Sequence, residues 1–564
     1  MKGFVGVALV LVSGSSVACA INQELDVQLS LGVVALAPDV TPAEIADRVR
    51  QFTPVELSAD TTLLDARQKQ VVAKLVEASD ILHRVFLRQV WRENLQFRAE
   101  MADTSGPGLE AAREYYDIMA GPWDRLEGNA PFLDVGPKPA GAGYYPPDLT
   151  QTELEAWILE HPDQRAAFTD YYTVIRRSAM SLIAVPYSQA FPEELAQAAA
   201  LLREAAGLAD NLSLRRFLEL RAIAFMDDAY VASDIAWMEI EGSVIEPTIG
   251  PYEVYEDELM GWKAAFESFI TLKDPRASAD LEVLVSHLRD LEQALPMDDR
   301  YKRLDRSFVT PLSVADVVYT AGDARRGVNT IAFNLPNDPR VTGPHGNKNV
   351  MLRNVITAKY DKILVPIAER LLEPSLLPDL DAKAFFTTSV MHELAHGLGP
   401  DFVYGSEIPL SVALEANYSP LEEAKADVIG VTSLIQLTER GVYSDAFRRQ
   451  VYVTGVASLF RCVRFGIEEA HGKGCAVQLN ALLDDGAMTV GADGRFGIDF
   501  ARIGPAYAAL GRTLLTLEAT GDRAGVEALL TGEGGLPGSV AEALGRLADV
   551  PVDIRPVYPV KRRP

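Results

Sequence analysis

Cysteine, histidine and positive charge are all scarce in this sequence. Its 564 residues include three cysteines and seven histidines, and 53 Lys and Arg stand against 79 Asp and Glu, which gives a formal net charge of −26. A chain this acidic, without a local basic patch, is expected to bind neither nucleic acid nor anionic lipid surfaces. Three cysteines are also too few for a disulfide framework in a chain of this size.

Long apolar runs are missing after the first twenty residues, so we predict no transmembrane helix. Lys2, the apolar stretch 4–12 and the small residues after it have the form of an export signal. Two processing sites remain open: cleavage after Ala20, or acylation of Cys19 as a lipid anchor, for which Ser16 is an unusual start. The mature protein is therefore predicted to be exported and periplasmic, either soluble or lipid-anchored.

The length predicts more than one hydrophobic core, because single cores stop growing near about 250–300 residues. Helical periodicity is predicted for residues 44–100, with its clearest apolar stripe at 64–91, and for 151–225, 256–269 and 350–440. The proline-rich interval 121–147 is predicted to be an ordered loop. The β-type residues 328–333 predict a strand that runs into a turn. Cys462 and Cys475 form either one bridge or a pair of packed thiols.

The strongest chemical signal is the segment HELAH at residues 392–396. Apolar residues at helical spacing precede it, and two glycines and a proline follow it, which predicts a helix that ends just beyond the motif. His392 and His396 then lie on one face and can share one ion, as in zinc sites. Glu393 can serve as general base towards a metal-bound water, its role in HExxH metalloproteases. The alternative is a chance occurrence of the pattern.

A third metal ligand is predicted 27 residues beyond the last histidine, at Glu423. The segment is predicted to begin a helix with Ser419 as N-cap, Pro420 at the first helical position and Glu422 completing a capping box. Glu423 is then free to point into the site. Asp427, one turn further on, can accept a hydrogen bond from a ligating histidine. The alternative is that these acids line a solvated helix face.

The HELAH segment and EEAKAD at 422–427 resemble the two zinc motifs of the dipeptidyl peptidase III family, especially those of its bacterial exported relatives. Further segments resemble the family in the same order: GPYEVY at 250–255, NLPN at 334–337 with GNKNV at 346–350, and AH at 470–471 followed by LLDDG at 482–486. Two features differ. Many members have one more residue between the histidines, and Cys475 and Asn480 stand nearest to the positions of arginines in the eukaryotic branch.

The resemblance implies a zinc metallopeptidase, with one Zn²⁺ per chain, that releases N-terminal dipeptides from short peptides. The roles it implies are zinc ligation by His392, His396 and Glu423 with Asp427 and Glu422 beside them, water activation by Glu393, oxyanion binding by Tyr255 and His471, and capture of the free N-terminal amine by Glu253, Asn334 and Asn337. Because carboxylate and amide oxygens favour an ammonium, a blocked terminus is expected to be rejected.

The residue types alone leave other interpretations open. Tyr255 fits a half-buried aromatic, Glu253 a solvated acidic face, the Asn pair an ordinary turn, and His471 a helix cap. For the whole protein, the alternatives are a peptide-binding protein with a structural zinc site and a zinc hydrolase of non-peptide amides. Glu393 counts against a structural site, which has no use for a general base.

The expected fold is a helix-rich α+β protein with two lobes and an active-site cleft between them. The resemblance implies a small β-barrel-like core in one lobe and a mainly helical, zinc-binding second lobe. We place the signal peptide at 1–20, the substrate-binding lobe at 21–265 with a return of the chain at about 322–350, and the catalytic lobe at 266–564.

Overall fold

A computed structural model describes residues 34–178, 181–304 and 312–561. Up to residue 240 the helices are α1 (Pro42–Arg50), α2 (Ala66–Val90), α3 (Asn94–Asp103), α4 (Leu109–Met119), α5 (Gln151–Glu160), α6 (Arg165–Thr169), α7 (Tyr187–Ala190), α8 (Pro192–Leu208), α9 (Leu212–Asp227) and α10 (Val231–Met238). The later helices are α11 (Pro275–Gln293), α12 (Pro339–His345), α13 (Arg353–Lys359), α14 (Val365–Leu371), α15 (Ala382–Ala395), α16 (Leu410–Leu414), α17 (Tyr418–Glu439), α18 (Asp445–Cys462), α19 (Ala470–Asp484), α20 (Ile503–Thr520), α21 (Arg523–Gly532) and α22 (Gly538–Gly545). The protein is thus helix-rich, as predicted.

Most of the strands are short, and they are scattered along the chain; β6, β7 and β8 are the long ones. They are β1 (Phe52–Glu56), β2 (Trp123–Asp124), β3 (Ala130–Pro131), β4 (Thr173–Ser178), β5 (Ser181–Pro186), β6 (Ile245–Glu253), β7 (Ala265–Lys273), β8 (Leu312–Gly322), β9 (Ala332–Leu335), β10 (Lys348–Leu352), β11 (Met488–Val490), β12 (Phe496–Ile498) and β13 (Asp553–Val557). Strands β1 and β13 pair in parallel, which joins the two ends of the described chain.

The largest sheet has five strands in the order β6, β7, β8, β10, β9. Its pairs are antiparallel except for β8 and β10, which are parallel. Within the described residues, β6 and β9 are the two edges and do not pair with each other, so the sheet is open and forms no closed barrel. The small β-barrel-like core implied by the resemblance is therefore not confirmed. Helix α2 packs against β7 and β8 on this sheet. The division into lobes at residue 265 stays a prediction.

The helix predicted for residues 256–269 is wrong. The first part of this interval is a turn organised by Asp257, and the second part enters strand β7. The Asp257 carboxylate accepts hydrogen bonds at 2.9–3.2 Å from the backbone nitrogens of Leu259, Met260, Trp262 and Lys263. Strand β7 is buried on both faces, so its apolar residues do not alternate with polar ones and its sequence resembles a buried helix.

Helix α2 lies where the apolar stripe at 64–91 predicts it. Asp65 caps its first turn, and Gln68 completes a capping box with it. The wider helical interval is interrupted by β1, and the strand predicted at 328–333 begins only at Ala332.

Close helix packing positions the two histidines of the HELAH segment. Helix α15 packs against α17, where a Cβ atom on Gly430 would lie 3.2 Å from the backbone nitrogen of His392. Helix α19 also packs against α17, where a Cβ atom on Gly474 would lie 2.9 Å from the backbone nitrogen of Ala424. A side chain at Gly474 would push the helices apart, and one at Gly430 would fit only if the neighbouring backbone shifted by a few tenths of an ångström.

Within the described chain, no helix is long and apolar enough to cross a bilayer. The predicted signal segment 1–20, with Cys19, lies outside the described residues, so export, periplasmic location and acylation stay predictions.

Candidate metal centre and active site

His392 and His396, at the end of helix α15, point their Nε2 atoms towards each other. The helix begins after Asp381, whose carboxylate caps it, and ends at Ala395, with His396 as the C-cap. The Nε2 atoms of His392 and His396 lie 3.3 Å apart. The four-residue spacing therefore brings both imidazoles to one point in space.

Glu423 completes a group of three metal-ligand side chains. Its Oε2 atom lies 3.3 Å from His392 Nε2 and 3.9 Å from His396 Nε2. This oxygen is buried, and within the described residues it has no hydrogen-bond partner of good geometry. Ligand atoms about 2.0–2.1 Å from a tetrahedral zinc ion lie about 3.4 Å from one another. The three donor atoms therefore fit a divalent metal ion of this size.

The second nitrogen of each imidazole is held by an acid from helix α17. His392 Nδ1 lies 2.8 Å from Asp427 Oδ1, and His396 Nδ1 lies 2.7 Å from Glu422 Oε1. Because a carboxylate accepts the Nδ1 proton in each case, Nε2 is the nitrogen left for a metal. Gln478 donates to the other oxygen of Asp427 at 2.9 Å, which fixes the orientation of that carboxylate.

The predicted helix start at Ser419 is wrong. Helix α17 begins at Tyr418 with Asn417 as its N-cap, and no side chain caps it. A short 3₁₀ segment runs directly into the helix, so Ser419 and Pro420 lie in the first turn, where the missing proline N–H removes no hydrogen bond. Glu422 is therefore free of capping and faces His396 instead.

The charge of Glu422 is balanced by a buried lysine that the sequence analysis missed. Lys425 Nζ lies 2.8 Å from Glu422 Oε1 and also donates to the carbonyl oxygens of Ala395 and Leu398, each at 3.1 Å. Burial alone would raise the pKa of Glu422, but Lys425 and His396 lower it to about 2. Lys425 thus joins α17 to the end of the histidine helix.

His471 approaches the same centre from helix α19. Its Nε2 lies 3.1 Å from Glu423 Oε2, and its Nδ1 lies 2.9 Å from Glu469 Oε1. Glu469 is the N-cap of this helix and accepts a hydrogen bond from the backbone nitrogen of Gly472. The hydrogen bond that His471 donates to Glu469 raises the pKa of His471 more than burial lowers it. His471 therefore lies in the first turn of a helix, and not at a helix C-terminus.

Glu253 and Asn337 meet at the end of strand β6. Asn337 Nδ2 donates to Glu253 Oε2 at 3.0 Å. Burial, and next the charge of Asp323, raises the pKa of Glu253 to about 7. Asn334 lies on the edge strand β9, opposite Asn349, and its side chain is exposed.

Tyr255 lies two residues after Glu253 and is 71% exposed. The charge of Glu253, followed by burial and the charge of Glu423, raises the pKa of Tyr255. The phenol therefore lies within electrostatic range of both the Glu253 group and the metal-ligand group.

A cavity of about 660 Å³ opens beside the metal-ligand group. One part of its wall comes from the helices of the site and includes His392, Glu393, Asp427, Glu469 and His471; another part comes from residues 125–126, 326 and 328–332. Glu253, Tyr255, Asn334 and Asn337 do not line this cavity. The structure thus brings the predicted ligands, Glu393 and His471 together and places the predicted amine-binding residues apart from them.

Cys462 and Cys475 are joined by a disulfide bond in the structure. The bond links the end of α18 to α19, one turn beyond His471, and both cysteines line the cavity. Of the two alternatives that the sequence left open, the structure shows the bridge.

A helix with two histidines one turn apart, an acid between them and a carboxylate on a neighbouring helix define the class of HExxH metallopeptidases. The model of peptidase family M49 matches residues 174–429.

Two solved structures are similar to nearly the whole chain. Dipeptidyl peptidase III from Caldithrix abyssi is 43% identical with a TM-score of 0.90, over 91% of this chain and 99% of that one. Dipeptidyl peptidase III from Corallococcus sp. strain EGB is 40% identical with a TM-score of 0.80, over 92% and 97%. Nudix hydrolase 3 of Arabidopsis thaliana is 34% identical over 91% of this chain and 73% of its own length. Human dipeptidyl peptidase 3 is 25% identical over 52% and 47%.

The chain belongs to the dipeptidyl peptidase III family, peptidase family M49. It is a metallopeptidase of the dipeptidyl-peptidase type that acts on peptides. The family predicted from the sequence motifs is thereby confirmed.

Proposed function

We propose that this metallopeptidase uses zinc and releases dipeptides from the free N-termini of short peptides. The observation that carries the proposal is the spacing of the nitrogen and oxygen donors of His392, His396 and Glu423, with Glu393 in the wall of the adjoining cavity. When bound there, zinc supplies a Lewis acid that polarises the scissile carbonyl and lowers the pKa of water. One ion per chain fits the three donors.

Glu393 is the proposed general base. It lies between the two histidines on helix α15 and lines the cavity, so its carboxylate can take the proton of the attacking water. The same carboxyl group can then give that proton to the leaving amine. Asp427 and Glu422 hold the imidazoles in the tautomer that this chemistry needs.

His471 and Tyr255 are the proposed donors to the developing oxyanion. Because Glu469 holds His471 Nδ1, the Nε2 atom is the nitrogen that faces the centre. Tyr255 is exposed, and its phenol is protonated at neutral pH and can donate a hydrogen bond, since its pKa is raised from an ordinary value that is already far above neutrality. Removing one oxyanion donor typically costs about 2.7–4 kcal/mol of transition-state stabilisation.

Glu253, Asn337 and Asn334 are proposed to bind the N-terminal ammonium and the first residues of the substrate. The Glu253 carboxylate already accepts a hydrogen bond from Asn337, so it offers its remaining lone pairs to a cation. An ammonium held here would fix the number of residues before the scissile bond, which is the proposed basis of dipeptide release. Since these residues lie outside the cavity, the proposal requires the substrate to extend from them to the metal-ligand group.

The test uses chromogenic dipeptides with free and with blocked N-termini, and compares the zinc-loaded protein with Glu393→Gln. We expect cleavage of the free compounds alone, and loss of turnover in the variant with one zinc still bound per chain by elemental analysis. Retained activity in Glu393→Gln would contradict the role of the base. Equal cleavage of blocked compounds would contradict amine recognition.

Location is a separate proposal. We propose that the protein is exported and periplasmic, either soluble after cleavage at Ala20 or anchored through Cys19. The disulfide between Cys462 and Cys475 supports it, since such bonds persist in oxidising compartments.

A further inference from the structure

The cavity beside the metal-ligand group has a cationic wall. Its positive side chains are Arg125, Arg326, Lys359 and Arg461. Acids balance three of them: Arg125 Nη1 and Arg326 Nε lie 2.9 Å and 3.6 Å from Glu256 Oε2, and Lys359 Nζ lies 2.9 Å from Asp553 Oδ1. These three charges therefore belong to ion pairs within the protein.

Arg461 differs from the other three. Within the described part of the chain it forms no ion pair, and its Nε atom is buried without a hydrogen-bond partner. The guanidinium lies over the ring of Phe465, 5.2 Å from its centroid. Burial lowers the pKa of Arg461 more than the charge of Asp553 raises it, and a guanidinium stays charged at neutral pH. A partly buried cation with unused donors is costly unless a ligand satisfies them.

Arg461 is held close to the helix that carries His471. Its neighbour Cys462 is bonded to Cys475, and Cys462 Sγ lies 3.2 Å from the carbonyl oxygen of His471. Arg461, His471 and Glu393 line the same cavity, whose volume of about 660 Å³ lies in the range that takes a small ligand. An anion at Arg461 and a reacting peptide bond beside Glu393 therefore share one open cavity.

We propose that Arg461 binds the C-terminal carboxylate of a short peptide, on the leaving-group side of the scissile bond. This rests on the proposed function, which places the peptide's ammonium at Glu253, outside the cavity. The planar fork of a guanidinium matches a carboxylate with two parallel hydrogen bonds. The negative charge of Glu253 would then hold the N-terminus of the substrate, and the positive charge of Arg461 its C-terminus. Only peptides whose two ends fit the distance between these residues would bind at both.

The test compares one tetrapeptide as the free acid and as the C-terminal amide, with steady-state kinetics for zinc-loaded wild type and variants. We expect the wild type to have a KM about tenfold lower for the acid, which is the effect of one charge-assisted contact. Arg461→Gln should remove this difference and leave kcat nearly unchanged. Arg461→Lys should keep part of it, because lysine retains the charge without the fork.

Arg448→Gln is the matched control, since Arg448 lies on the same helix α18 and pairs with the exposed Asp445. It should keep the acid preference. An Arg461→Gln protein that retains the preference, or that loses acid and amide cleavage equally, would overturn the inference.

Failure of the proposed function gives a different result: a wild type that holds zinc and cleaves neither peptide. Calorimetric binding of the same two peptides to zinc-loaded Glu393→Gln, with and without Arg461→Lys, tests the subsite without turnover. We expect the acid to bind about tenfold more tightly, and less so with lysine. Equal binding of acid and amide would overturn the inference in that case as well.

Discussion

Replacing Lys425 by methionine removes the cation beside the buried carboxylate of Glu422. The Lys425 side chain is 1% exposed, and it loses its ion pair and two hydrogen bonds to carbonyl oxygens in this variant. Methionine fills most of the volume, so the main effect is a buried carboxylate that loses its cation and keeps the hydrogen bond from His396. Breaking a buried pair in this way costs about 3–5 kcal/mol. We expect the metal-free protein to lose about this much free energy of unfolding at neutral pH.

The pH dependence of this loss is specific to Glu422. In the wild type the pKa of Glu422 is lowered from 4.5 to about 2, so its ionisation contributes stability above pH 4.5 that is lost as the pH falls towards 2. Without Lys425 the part of this contribution that comes from the lysine disappears, and the part from His396 remains. The difference between variant and wild type should therefore be full at neutral pH and shrink below about pH 4.

Urea unfolding of the metal-free proteins, followed by circular dichroism at about pH 7 and about pH 3, measures both effects. Lys74→Met is the control, because Lys74 pairs with Glu77 and Glu204 on the surface. That change should cost at most about 1 kcal/mol. Wild-type stability in Lys425→Met, or an equal loss at both pH values, would refute the reasoning.

Two further predictions concern substrate binding and helix packing. Because only the ionised Glu253 attracts an ammonium, kcat/KM for free-terminus dipeptides should rise with pH through about 7, and Glu253→Gln should flatten this limb. A pH limb that survives in Glu253→Gln would contradict the assignment. Gly474→Ala places a Cβ atom 2.9 Å from the Ala424 nitrogen, so it should cost about 1–3 kcal/mol of stability and lower kcat/KM by displacing His471. Unchanged thermal unfolding and kinetics would contradict it.

The parts of the site that the sequence predicts are those built on one helix at a time. The HELAH spacing fixes the relation of His392 to His396 without any tertiary information. Glu423 and Asp427 are also one turn apart, so their spacing likewise places both side chains on one face of α17. The long helix α2 was predictable for the same reason, since its stripe and its Asp65 cap are local.

The errors arise where tertiary burial overrides the local pattern. Strand β7 is buried on both faces, so its apolar residues lack the alternation that marks a half-exposed strand. The predicted start of α17 is wrong because a 3₁₀ segment continues directly into the helix. A side-chain cap at Ser419 is incompatible with such a continuation. Both failures have one cause, since the pattern of a short segment does not reveal what surrounds it.

The cavity wall illustrates the same limit for charge. No local basic patch occurs along this chain of net charge −26, yet the fold gathers Arg125, Arg326, Lys359 and Arg461 around one space. Any two of these residues are at least 33 positions apart in the sequence, and they form a group only because the fold places all four in the wall of one cavity. A window along the sequence registers a patch only when the charges are neighbours in the chain. The absence of such a patch therefore argues against an extended nucleic-acid surface, but it carries no weight against a small anionic subsite.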